Sequence, residues 1–242
     1  MIRIISIVVA TLLFCYIVFV SFFFREIRQD SICQDLQVVV KDSLDKHFVS
    51  ESDLVSILKK AGLDPIKRPM ADVNTDRIET ELLKNEMIAQ VEAYKTPSGI
   101  IKLEVMQKMP ILRIMGVRGS YYVDNLGTTM PISRRYAAHV PIVSGYAEKE
   151  LAVTDLYKFA LFLQENEFWN DQIEQIYVYP DNDIELIPRV GNHRIMLGTL
   201  DEFEEKLANL KLFYEQAIPK VGWEKYSMIN LKYKNQIVCT KK

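Results

Sequence analysis

The sequence predicts an α+β chain: an apolar N-terminal helix, then a β-α-α-β-β unit, then a mixed β unit carrying two helices. Three observations point there. Residues 4–24 read IISIVVATLLFCYIVFVSFFF, without a charge, Pro or Gly. Residues 36–107 pass from a β-rich run through two patterns of period 3.6 to two runs of period 2. From Met109-Pro110 onward short strand patterns dominate, interrupted by two amphipathic helical stretches.

The first stretch holds 21 residues. At ~1.5 Å per residue it spans roughly 31 Å as a helix, the thickness of a bilayer's hydrocarbon core. Its Leu, Ile, Phe and Val side chains each favour insertion by ~0.3–0.6 kcal/mol at the helix centre. A cleaved signal peptide would have a shorter apolar region and small residues at its exit, whereas this one leaves through Phe22-Phe23-Phe24-Arg25. A lipoprotein reading of Cys15 fails on the bulky Phe14 before it. The expectation is an uncleaved membrane anchor, preceded by a tail of three residues and followed by a charged stalk over residues 25–35. Arg3 precedes the span and Arg25 and Arg28 follow it, so positive charge does not decide which side holds the rest.

The β-α-α-β-β unit is expected over residues 36–109. LQVVV, residues 36–40, is its first strand. Ser50 can cap the following helix, Asp53 lies near the positive end of its dipole, and Gly62 supplies a left-handed stop before Pro65. Leu54, Ile57, Leu58 and Ala61 form its buried face. A second helix starts at Asn74 or Thr75, buries Ile78 and Leu82, and ends near Asn85. Residues 87–94 and 100–107 are strands joined by the turn Thr96-Pro97-Ser98-Gly99, with Ile101, Leu103 and Val105 on one side.

The mixed β unit is expected over residues 110–242. Residues 111–115, 120–124 and 128–131 are short strands, and Pro141-Ile142-Val143-Ser144-Gly145 closes that section. A helix over 154–165 buries Leu156, Phe159, Ala160 and Leu163. Three strands follow, 173–179, 183–187 and 193–197. The next helix opens on a capping box, Thr199-Leu200-Asp201-Glu202, and buries Phe203, Leu207, Leu210, Tyr214 and Ala217. From Ile229 to Ile237 apolar and polar residues alternate, with Asn235 the one polar residue on the apolar side. That pattern predicts a terminal strand with little chain beyond it, hence a sheet edge.

Composition excludes several functions. A net charge of −2 leaves no basic footprint for nucleic acid, and nine Gly in 242 residues argue against Gly-rich phosphate loops. Three cysteines, Cys15, Cys33 and Cys239, are too few for a disulfide framework, and a Cys33–Cys239 bridge would require distant stretches of chain to meet. His47, His139 and His193 are scattered and read as loop or surface residues. Ser144-Gly145 lacks the G-x-S-x-G elbow, and no Walker or dinucleotide glycine motif occurs. Asp201, Glu202, Glu204 and Glu205 form a solvated helix front, and Asp181 and Asp183 are turn residues. No catalytic, cofactor-binding or metal-binding residue is expected. What remains is binding: a partner strand can add to an exposed edge, although Lys232 and Lys234 equally suit an edge blunted against pairing.

The arrangement resembles the FtsQ/DivIB family of bacterial division proteins over essentially the whole chain. Phe48-Val49-Ser50 leads into a helix as in POTRA units, and residues 78–94 look like the family's helix-then-strand segment. IKLEVMQKMPILR, residues 101–113, is similar to its strand followed by "PxxR" at the domain junction. Residues 122–127 resemble the "YxVDxxG" hairpin with Pro131 beyond, residues 141–145 the "lPxxxG" close, and residues 229–233 the "vDLRY" terminal strand. Asp45-Lys46-His47 replaces the usual Gly-Asn turn, and Asn230 and Lys232 stand where Asp and Arg are usual.

The resemblance implies a POTRA domain and a β domain outside the inner membrane on a single type II span, at the division septum, with no reaction or cofactor of its own. It implies that the β domain holds small coiled-coil division proteins of the FtsB/DivIC and FtsL types, and through them reaches septal peptidoglycan synthases. Carried over by position, the partner-binding residues are Ile229, Asn230, Leu231, Lys232, Tyr233 and Lys234. An outer-membrane assembly factor with a POTRA domain and a membrane-tethered cell-wall enzyme are the alternatives.

Overall fold

The structure is a computed structural model that describes residues 11–21, 32–42 and 47–242. Residues 11–21 are helical; the remainder of the apolar stretch over 4–24, and most of the stalk, lie outside the described residues. Among the described residues no helix is long and apolar enough to cross a membrane. The chain divides into two compact units, Met1–Gln107 and Lys108–Lys242.

The first unit runs β1 (Asp35–Val40), α1 (Glu51–Lys60), α2 (Thr75–Leu83), β2 (Ile88–Lys95) and β3 (Ile100–Gln107). Its helices are fixed by their own side chains. Ser50 caps α1 in a reciprocal box with Asp53, the Asp53 amide donating to Ser50 Oγ at 3.3 Å and the Ser50 amide to Asp53 Oδ2 at 3.0 Å. Asn74 Oδ1 accepts from the Arg77 amide at 2.9 Å and starts α2. Gly62 takes φ +68 just past α1, where an L side chain would be strained. The strands form a sheet in the order β1-β3-β2, with β1 parallel and β2 antiparallel to the central β3. Ile101, Leu103 and Val105 alternate onto one face of β3 and are fully buried, as are Leu54, Leu58, Ile78 and Leu82 of the helices. Gln107 closes the end of the unit: its buried side chain accepts from the Val49 amide at 2.8 Å and donates to Asp42 at 3.2 Å.

The second unit contains β4 (Pro110–Gly116), β5 (Gly119–Asp124), β6 (Thr129–Met130), β7 (Ile142–Gly145), α3 (Lys149–Val153), α4 (Asp155–Glu165), α5 (Glu167–Gln172), β8 (Ile173–Val178), β9 (Ile184–Pro188), β10 (Arg194–Gly198), α6 (Phe203–Gln216), α7 (Ile218–Val221), a 3-10 turn at Trp223–Lys225, β11 (Tyr226–Asn230) and β12 (Val238–Lys241). Five helices therefore stand where the sequence predicts two. The three additional ones have four to six residues, too short for the period-3.6 pattern to register. All nine strands share one sheet, ordered β12-β11-β10-β9-β8-β7-β4-β5-β6. Ile114, Val143, Ile176, Ile184, Leu186, Ile195, Leu197 and Ile229 of the strands and Leu156, Phe159, Leu163, Leu207, Leu210 and Tyr214 of the helices belong to one buried cluster. The alternate strand positions, Met115, Ser144, Tyr177, Glu185, Met196 and Asn230, face away from it.

Two further expectations are corrected here. The capping box at residues 199–202 does not form: Thr199 Oγ1 donates to Asp201 at 2.9 Å, and Glu202, the residue before α6, adopts a left-handed φ of 52 with no side-chain cap. His193 is no surface residue but 2 % exposed.

Candidate protein-binding rim

The terminal strand expected over 229–237 is the last two residues of one strand and the turn that leads to another. β11 ends at Asn230, the chain turns with Asn235 at φ 56 and the Gln236 amide donating to Tyr233 O at 3.2 Å, and β12 returns antiparallel along β11. Asn235, the residue out of step with the alternation, is the one whose short polar side chain tolerates this left-handed turn. β11 is consequently held on both sides, by β10 in parallel and by β12, and is not an edge. β12 is the edge.

This redistributes the six residues placed at the rim by sequence. Ile229 is fully buried in the core. Asn230 Oδ1 accepts from the Lys232 amide at 2.9 Å, and the Leu231 amide donates to Met196 O at 2.8 Å, so Leu231 extends the β10 pairing and is 3 % exposed. The Lys232 stem lies over Gly198, where a Cβ would come within 2.8 Å of Lys232 Cγ. Its ammonium pairs with Asp183 in the turn between β8 and β9. That hydrogen bond and charge raise the Lys232 pKa. Tyr233 is exposed, and Lys234 Nζ stands 3.6 Å from Glu202. Leu231, Lys232, Tyr233 and Lys234 line a groove of about 180 Å³ against Glu205, Lys206 and Asn209 of α6. Here burial lowers the Lys206 pKa, and its ammonium donates to Thr199 O at 2.8 Å.

β12 carries Val238, Cys239, Thr240 and Lys241, and among the described residues no strand pairs with its outer side. Its far end is tied down twice: the Lys242 amide donates to Lys225 O at 3.3 Å, and Lys242 Nζ meets Glu224 at 2.5 Å. Behind that end lies an aromatic cage. His193 Nε2 and Tyr214 Oη are 2.6 Å apart, and the imidazole stacks on Trp223 with centroids 6.0 Å apart. Burial, with the nearby Lys242 charge adding to it, lowers the His193 pKa, and burial raises that of Tyr214. Gly191, at φ +85, is the other wall, since a Cβ there would sit 2.7 Å from His193 Nδ1. The signal for β12 was the β-branched pair around Cys239 after the Asn235 irregularity; nothing in spacing marked His193.

The hairpin at 122–127 is a second built feature, and a structural one. Asp124, 1 % exposed, accepts from the Thr128 amide at 2.7 Å, Thr128 Oγ1 at 2.5 Å and the Leu126 amide at 3.0 Å, and pairs with Lys108 at 3.1 Å. Burial works to raise its pKa, but these donors outweigh it and hold the carboxyl below its usual range. Among the described residues no three His, Cys, Asp or Glu side chains are placed to hold a metal ion.

A family model described as FtsQ/DivIB, C-terminal related, matches residues 109–240, and one described as a POTRA-like domain matches residues 31–106. The chain belongs to the FtsQ/DivIB family. A relative named cell division protein FtsQ, from Rhodothermus marinus, is 26 % identical over 179 residues, which cover 69 % of this chain and 65 % of the relative. The chain thus spans about two thirds of that protein's length. A solved structure, the major extracytoplasmic domain of the trans isomer of the bacterial cell division protein DivIB from Geobacillus stearothermophilus, is 13 % identical, with a TM-score of 0.30; the match covers 47 % of this chain and 97 % of that one.

Proposed function

We propose that this FtsQ/DivIB-family chain is a membrane-anchored division scaffold without a reaction of its own. Its second unit binds small coiled-coil division proteins of the FtsB/DivIC and FtsL types and links them to septal cell-wall synthesis. Residues 4–24 serve as a single span of the inner membrane, and both folded units lie on its outer side at the septum. Family membership supports the division role, and the uncharged 21-residue stretch supports the anchor.

The observation that carries the binding reading is the unpaired outer side of β12 on a nine-stranded sheet. A partner strand laid there gains main-chain hydrogen bonds, while the exposed Val238, Tyr233 and the lysines at 232 and 234 sort partners by side chain. The rim is therefore β12 with the 231–237 turn beside it, in place of β11.

Co-purification from dividing cells tests this. The full chain is expected to bring down the coiled-coil partner, and Lys241→Pro, which removes an outward amide at an exposed position of β12, is expected to lose it. Retained capture by a Lys241→Pro chain whose Trp fluorescence is unchanged would reject the site. Peptidoglycan turnover by the purified chain would reject the non-enzymatic reading.

A further inference from the structure

The two edges of the first unit's sheet are treated differently. On β2, the Ala93 amide donates at 2.7 Å to Glu79 of α2, and Lys95 reaches Met70 O, so side chains occupy that edge. Charged or polar Gln90, Glu92 and Lys95 add to the protection. On β1, six residues reading DLQVVV carry no Lys and no Pro between Asp35 and Val40, and Val39 is 49 % exposed. Its approach is covered, where the Cys33 amide donates to Arg68 O and the Lys67 amide to Cys33 O, at 2.8 and 2.9 Å. Along Asp35–Val40 the Leu36 amide donates to Asp35 Oδ1 at 2.9 Å, and among the described residues no strand pairs on the side away from β3. An open, β-branched edge of this length recruits a strand.

We propose that the occupant is a second copy of β1, added antiparallel about a two-fold axis through Val38. Charge placement selects this partner and this register. Asp35 begins the strand and Lys41 follows it, on the same face by period two. When Val38 faces its own counterpart, Asp35 of each copy lies opposite Lys41 of the other, Leu36 opposite Val40, and Gln37 opposite Val39. Like faces then meet like faces, so each sheet continues into the other with the helices of both copies on one side. Both ends of the paired segment carry opposite charges, and no other register of β1 on itself achieves that. Lys41 is half exposed and pairs with Glu104 at 2.6 Å along the outer face of the sheet, so in the dimer its ammonium lies between Glu104 of its own chain and Asp35 of the other. The contact is isologous, so it closes at two copies and does not propagate.

Two full-length chains differing in tag size, one Gln37→Cys and one Val39→Cys, test the register in detergent. Directly opposed positions should oxidise to a mixed disulfide dimer well above the level of either chain alone or of the parent chain, whose own cysteines set the background. Val39→Lys, a change at an exposed position, should convert the parent dimer to monomer in sedimentation at low salt while leaving the far-UV circular dichroism spectrum unchanged. A parent chain that is monomeric at high micromolar concentration, a dimer that survives Val39→Lys, or cross-linking no greater in the mixture than in either single chain would each overturn the proposal.

Discussion

The two units solve the same problem, starting and stopping their elements, by different means. In the first, signals lie within a few residues: the Ser50–Asp53 box, the Asn74 cap and the Gly62 stop. In the second, α3, α4, α6 and α7 have no side-chain cap hydrogen bond. Among them α3 runs into α4 at Thr154 and α6 into α7 at Ala217. The lesson is that helix capping can be written locally or be left to tertiary packing, and that only the first kind is open to mutation without a large effect elsewhere.

The largest effect should come from the buried face of α6. With no cap to hold it, its stability resides in Leu207, Leu210 and Tyr214, and Leu210→Ala should cost about 2–5 kcal/mol. Both tryptophans, Trp169 and Trp223, are in the second unit, so urea unfolding followed by Trp fluorescence reads that unit alone. A loss under about 1 kcal/mol would break the contrast.

Next comes Asp124, where the second unit does use local hydrogen bonds. Asp124→Asn should destabilise it by roughly 1.5–3 kcal/mol, the range for hydrogen bonds to a charged group. Because its folded pKa is lowered, its contribution is present above the unfolded carboxyl value and is lost as pH falls through the folded one. The parent and Asp124→Asn midpoints should therefore converge in acid. Ser50→Ala should cost about 1 kcal/mol, read as faster amide exchange across α1. Thr199→Ala, at the box that does not form, should stay within about 0.5 kcal/mol. Equal costs at the two positions would erase the distinction.

The finest test is His193. Its pKa is lowered by burial and by Lys242, so the stability of its neutral form is complete above the unfolded value near 6.5 and is lost as pH falls through the folded one. Tyr214 and Trp223 face it across the cage, with Glu224 opposing the shift. The Trp unfolding midpoint should drop between about pH 7 and pH 5 in the parent and less in His193→Asn. Parallel pH profiles would remove His193 from the account.

The same contrast explains what the sequence makes legible. Residues 36–107 announce themselves because propensity, caps and periodicity agree there, and β3 carries its buried face at 101, 103 and 105. Alternation from Ile229 to Ile237 runs through a turn that keeps the same parity, so strand and turn read as one strand and β12 beyond them is missed. Whether a strand lies at an edge depends on what folds back against it, and four residues, Val238–Lys241, decided that. His193, in the loop before β10, reads as a surface residue because its cage is assembled from α6 and the 3-10 turn, far along the chain.

Backbone amide exchange of the full chain, with and without the proposed coiled-coil partner, tests the central claim most directly. In the free chain the Ile229 and Leu231 amides should be as protected as those of β10, while the outward amides of β12 exchange freely and gain protection when the partner binds. Binding that protects amides elsewhere and leaves β12 unchanged would contradict the account.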